Sequence, residues 1–343
     1  MNSKRLWGAL SLLALAAVTF QSCKKENGID NNNVIQRPYV LYLSDARGSI
    51  YSTNNGDEYK TVFPGDGTPI RALITSKQNI LMVKSNVLFV SENGGQSFNP
   101  YLPGTNMVIP TNIPWPYFMI SSEDQDRVYV TNLLGVGGVS YSQYNGKSFD
   151  ADTNWKADTP YTTESITQLD NKKLFAYSLS GSLHGISHLY KRNAKDEPWE
   201  PVRTNLPITN KFYLTNYADL LIATDYEGLK GAWYSSDEGK TFTQYSGLPS
   251  ATLYATHAPF GKTLLVGTKN LGVYKFDGTT FAPSNSGISP GSTVYSITSK
   301  VNIYKNNVNK QYIFVATSTG IYRSEDMAKS WVRVKPGDHR LVY

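Results

Sequence analysis

Two long connections carry the side chains best suited to holding a ligand. The segment YLPGTNMVIPTNIPWPYF contains Trp115 and Tyr117, and FDADTNWKADTPYTTES contains Trp155 and Tyr161. Aromatic faces stack on sugar rings and on peptide segments, and nearby amides and acids fix orientation. The same rings could instead fill joints between packed sheets. Pro110, Pro114 and Pro116 stiffen the first connection. His184, Glu227 and Lys230 fall in short turns and are further polar candidates. Other chemistry finds less support. The histidines are His184, His188, His257 and His339. The first two fall in different parts of a hairpin, with no helix and no thiolate partner, so no metal site is expected. There is no Gly-x-Ser-x-Gly elbow and no glycine-rich loop opening a helix. No cofactor is expected.

The elements that must position these groups repeat. Octets opening on serine recur as STNNGDEY from Ser52, SENGGQSF from Ser91, SQYNGKSF from Ser142, SSDEGKTF from Ser235 and SEDMAKSW from Ser324. Degenerate copies from Tyr190 and Tyr274 fill the gaps and give seven, about 45 residues apart. Before each octet lie short runs alternating with period two, such as GAWYS and GIYRS. Further upstream come apolar runs such as NILMVKS and DLLIATD, then inner runs such as IRALITS and VYSITSK. Four short strands per unit predict an all-β, seven-bladed β-propeller of four-stranded antiparallel blades over residues 37–343. The first repeat lacks an inner strand. HRLVY at the C-terminus is expected to supply it and close the ring.

Within each octet the third residue can accept N–H bonds inside the turn, and the fifth needs a backbone angle that favours glycine. The eighth is aromatic and starts the outer strand. Ser52, Asn54 and Gly56, then Ser91, Asn93 and Gly95, fit this frame. So do Ser235, Asp237, Gly239 and Phe242, and Ser324, Asp326 and Trp331. Ala328 replaces the glycine of the last copy, where a β-carbon is expected to disturb the turn.

The octet resembles the Asp-box, or bacterial neuraminidase repeat. In that family the boxes are mostly structural and lie on the face away from the active site. The resemblance implies a test for sialidase chemistry: three arginines on a substrate carboxylate, a Tyr–Glu nucleophile pair and an acid–base Asp. Arg71 in PIRALI and Arg340 in DHRLVY start inner strands, and Arg47 could join them on the same face. The family's Phe/Tyr-Arg-Ile-Pro motif is absent.

The N-terminus reads as a targeting segment. Lys4 and Arg5 precede the apolar run from Leu6 to Phe20, and Cys23 is the single cysteine. Residues 1–22 resemble a lipoprotein signal peptide, which makes Cys23 the lipidation site. Residues 23–36 are the lipidated cysteine and a polar, Asn-rich tether, with charges that resemble the surface-export signal of Bacteroidetes lipoproteins. A formal charge of +6 with no block of like charges argues against nucleic acid as a partner. The expected protein is a monomeric outer-membrane lipoprotein, facing the periplasm or the cell surface. It reads as a binding or assembly module for a glycan or protein ligand. The alternative is a glycoside hydrolase, sialidase-like or acting on plant glucans through paired acids.

Overall fold

A computed structural model describes residues 35–343 except 55, 57, 77–78, 85–86, 102–117, 121–126, 132–137, 144–145, 157–159, 181–186, 208–211, 227–230 and 306–307. The chain divides into two compact units. In the smaller, Ile35 and Arg37 pair antiparallel with Tyr304 and Ile303. The larger unit, residues 39–301 and 311–343, is the seven-bladed propeller, each blade an antiparallel sheet of four strands, in sequence order in all blades but the first.

Blade one takes its inner strand, His339–Val342, from the end of the chain. It pairs with Leu41–Asp45, with Leu43 opposite Val342 and Ser44 opposite Leu341. Tyr42 and Tyr343 exchange backbone hydrogen bonds of 2.7 and 2.8 Å. The expected closure is therefore present. The inner strands of blades two to seven begin at Ile70, Phe118, Pro160, Phe212, Leu253 and Val294.

The second strands explain the apolar runs in the sequence. Asn79–Lys84 is buried at every position, because each of its faces packs on a neighbouring blade. The outer strands are mostly exposed, as in Val332–Pro336. Among the described residues the buried apolar side chains form seven clusters. Each joins two adjacent blades: Leu81 and Val83 of blade two meet Val128 and Val130 of blade three, for example. Burial between blades is thus the main force holding the ring.

The octets are the turns between third and outer strands. Ser235 Oγ donates to Asp237 Oδ1 at 2.8 Å and accepts from Gly239 N at 2.8 Å. Thr241 donates to Asp237 from its backbone N and its hydroxyl, at 2.9 and 2.7 Å. These bonds, the Thr241 hydroxyl foremost, lower the Asp237 pKa to about 2. Gly239 has φ +83°, and a β-carbon there would stand 2.4 Å from Leu189 in the next blade. Asn93 accepts from Ser91 and Ser97 in the same way. Two details differ from expectation. In the first copy Gly56 N donates to Thr53 Oγ1 at 3.0 Å, so the buried Thr53 replaces Ser52 as the anchor. In the last copy the turn keeps its form. Ala328 adopts φ +63° and donates to Ser324 Oγ at 2.9 Å, so the substitution adds strain without breaking the pattern.

Candidate binding site at the channel mouth

The inner strands of blades one, two, five, six and seven line a cavity of about 510 Å³. Five residues that share one strand position contribute to its mouth. The second residue of each inner strand is Arg340, Arg71, Met119, Tyr161, Tyr213, Tyr254 and Tyr295, in blade order one to seven. Arg71, Arg340, Tyr213, Tyr254 and Tyr295 line the cavity, joined by Tyr226 from the end of the second strand of blade five. The pairing register slips at four of these positions, Arg71, Tyr161, Tyr254 and Arg340. A bulge leaves one residue unpaired and re-aims its side chain, so the mouth is a local exception to a regular sheet.

The tyrosines form a continuous arc. Tyr213 meets Tyr226 at 5.6 Å between ring centres, Tyr226 meets Tyr254 at 5.4 Å, and Tyr254 meets Tyr295 at 5.5 Å. The first two contacts are edge-on, a favoured arrangement for aromatic quadrupoles. Arg340 continues the arc, its guanidinium 4.2 Å from the Tyr295 ring centre. It also donates to Asp338 Oδ2 at 2.7 Å. The other Asp338 oxygen is buried without a hydrogen bond. Among the described residues Arg71 has no acidic partner, and its Nη1 is buried with no hydrogen bond.

Deeper in the cavity are Thr256, His257, Ile297, Thr298 and Tyr343. His257 Nε2 lies 2.9 Å from Ser299 Oγ. Burial, assisted by the charge of Lys300, lowers the His257 pKa to about 4, so the ring is neutral at pH 7. The described lining contains no Asp or Glu. Two arginines and a tyrosine arc can hold an anionic group and an apolar or sugar face. Among the described residues the lining offers no pair of carboxyl groups for general acid and base.

The residues expected from sequence divide accordingly. Arg71 and Arg340 come together at the mouth. Arg47 does not join them. It is exposed in a turn, where its N–H donates to Asp45 and its carbonyl accepts from Gly67. Trp155 is also elsewhere: its ring stacks on Trp199 at 5.1 Å and meets Tyr190 edge-on at 5.0 Å. Its Nε1 donates to the Asp152 carbonyl at 2.7 Å. Beneath this stack, Asp152 bridges Arg192 at 2.7 Å and accepts from Trp199 Nε1 at 3.0 Å. The Trp155 face is thus spent on a joint between blades three and four. Tyr161 is the bulged residue of the inner strand of blade four. Cys23, Trp115, Tyr117, His184, Glu227 and Lys230 lie outside the described residues. Tyr213, Tyr226, Tyr254 and Tyr295 were not anticipated. The signal for Tyr213, Tyr254 and Tyr295 is a tyrosine directly after the apolar residue that opens an inner strand, in FYLTN, LYATH and VYSIT, whereas Tyr226 follows a second strand and shares no such pattern.

Proteins of very different sequence share this architecture. A Bacteroides uniformis protein assigned as a 6-phosphogluconolactonase is 15% identical, with a TM-score of 0.54 over 90% of this chain and 99% of its own. A YCF48 structure bound to a D1 peptide is 12% identical, with a TM-score of 0.53 over 81% of this chain and 85% of its own. The extracellular domain of a B. thetaiotaomicron protein assigned as a hybrid two-component system is 12% identical, with a TM-score of 0.51 over 77% of this chain. The present chain spans 32% of that longer one. No protein-family model and no curated protein matches the sequence. At these identities the likeness is one of fold, and the fold is the β-propeller.

Proposed function

We propose that this chain is a binding module that takes an acidic glycan at the mouth of the propeller channel. The observation that carries this reading is the Arg71 guanidinium, whose Nη1 is buried without a partner among the described residues, in a cavity also lined by an arc of tyrosines. A desolvated donor with nothing to bond is costly, and a ligand carboxylate or sulfate would remove that cost. The tyrosines supply faces for the sugar rings. Cys23 anchors the module to the outer membrane through lipid. Cys23→Ser is then expected to leave the membrane fraction.

The test is an array of neutral and acidic glycans probed with the purified chain. Binding to acidic glycans, lost at high salt, supports the proposal. Preference for neutral glycans overturns the role of Arg71, and binding only to a protein ligand overturns the glycan. A sialidase-like enzyme would instead release sialic acid from a chromogenic substrate, with loss in Arg71→Ala and Arg340→Ala.

A further inference from the structure

Below the mouth the channel wall has two unlike sides. Along the inner strand of blade two, Arg71 is followed by Ala72, Leu73 and Ile74, all buried and all part of the cavity lining. In blade one Arg340 is followed by Leu341 and Val342, also in the lining. None of these five side chains carries a hydrogen-bonding group. Tyr343 comes next, and its hydroxyl is bonded to Thr75. Beneath the two arginines the side chains of the wall are therefore apolar.

Blades five to seven present a different side beneath the tyrosine arc. Thr215, Thr256, His257, Ser296 and Thr298 line the cavity there, with Ala255 and Ile297 among them. Ser296 spends its hydroxyl on blade one, donating to the Val342 carbonyl at 3.1 Å and accepting from the Val342 N–H at 3.3 Å. His257 is bonded to Ser299. Thr256 Oγ1 donates to Thr224 Oγ1 at 2.9 Å and keeps its lone pairs for accepting. Thr215 and Thr298 are half-buried and make no side-chain hydrogen bond among the described residues. Three hydroxyls on this side can thus meet a guest.

Such a channel selects a guest with two unlike edges. A hydroxyl laid against blades one and two gives up water without gaining a side-chain partner, whereas a methyl group there gains by leaving water. Against the threonines the preference is reversed. A cavity of about 510 Å³ is of the size that encloses a small ligand, so it extends past the mouth residues that hold the charge. We infer that the unit lying beneath the acidic sugar is a 6-deoxyhexose. Its methyl group rests against Leu73 and Leu341, and its ring hydroxyls turn toward Thr215, Thr256 and Thr298. The inference rests on the reading of the mouth as the seat of an acidic glycan and adds which sugar accompanies the acid.

The test titrates the purified chain calorimetrically with glucuronic acid carrying a terminal 6-deoxyglucose, and with the same disaccharide carrying glucose instead. The two ligands differ by one hydroxyl. The deoxy form should bind about tenfold tighter or more. Leu341→Asn sets an amide of similar size on the apolar side and should abolish that preference, while the weakening of binding by salt persists. Thr298→Val removes a hydroxyl from the polar side and should weaken both disaccharides alike. Equal affinities in the wild-type chain, or tighter binding of the glucose form, overturn the inference and leave the acidic seat standing. If the methyl ester of the uronic acid binds as tightly as the acid and the deoxy preference is kept, the seat is overturned and the two walls stand. Binding of neither disaccharide overturns both. The wild-type comparison decides the question even if Leu341→Asn fails to fold.

Discussion

The octet turns and the channel mouth use similar residue types to opposite ends. In the Ser235–Phe242 turn the serine, aspartate and threonine side chains bond one another or the local backbone. At the mouth the Arg71 Nη1 is buried, with no hydrogen-bond partner among the described residues. The turns recur in related form along the chain. The mouth varies residue by residue around the ring. A polar group that completes its bonds within the chain serves the fold, and one left incomplete is available to something else.

The closing strand belongs to both regions, and its loss should have the largest effect. Deleting residues 339–343 removes the inner strand of blade one together with Arg340. It exposes Leu41 and Leu43, both fully buried. The truncated chain should lose cooperative unfolding near the wild-type midpoint in calorimetry. An unchanged melting temperature would show that closure is dispensable.

Gly239→Val tests the turns alone. It forces a branched side chain into positive φ and against Leu189, and should cost about 2 to 4 kcal/mol in denaturant melts. Affinity for the ligand should be unaffected in the folded fraction. Arg71→Gln tests the mouth alone. It should weaken binding of an acidic ligand by about 2 kcal/mol or more, roughly thirtyfold, in calorimetric titrations. Stability should hold or rise, since a buried donor without a partner is removed. If Arg71→Gln instead unfolds the protein, the contrast between the regions collapses.

Two smaller effects sharpen the turn side. Asp237 and Asp326 are both lowered to about 2, below the range of an unfolded aspartate. Their contribution is present above about pH 4 and is lost as pH falls toward 2. Asp237→Asn should flatten that stretch of the pH–stability curve. Ala328→Gly should stabilise the last turn by about 0.5 to 1 kcal/mol, because only the residue in place pays for φ +63°. A loss of stability there would mean that the methyl group, buried among blades six and seven, packs too well to give up.

The turns were legible in the sequence because their chemistry is local and repeated. Ser235, Asp237 and Gly239 interact within five consecutive residues, so spacing alone conveys geometry. The mouth was only partly legible. Arg71 and Arg340 could be placed by counting strands, but the tyrosine arc joins residues 213, 226, 254 and 295 across three blades. A tyrosine opening a strand reads equally well as a core residue. The bulges at Tyr254 and Arg71, which redirect side chains, depend on register and leave no mark in composition. Trp155 illustrates the converse. An aromatic residue among prolines and polar groups suggested a platform, yet Trp199, forty-four residues later, claims its face.

A ring of seven near-equal blades presents a ligand with seven equivalent rotational settings. Degeneracy of that kind blurs orientation, since choosing one setting among seven is worth only RT ln 7, about 1 kcal/mol. The uneven mouth lifts it. With both guanidinium groups on adjacent blades one and two and the arc of phenols on blades five to seven, the socket has a heading, like a compass card with a single north. A guest with one charged end and one flat side can dock in one azimuth, and its far end then leaves the pore in one direction.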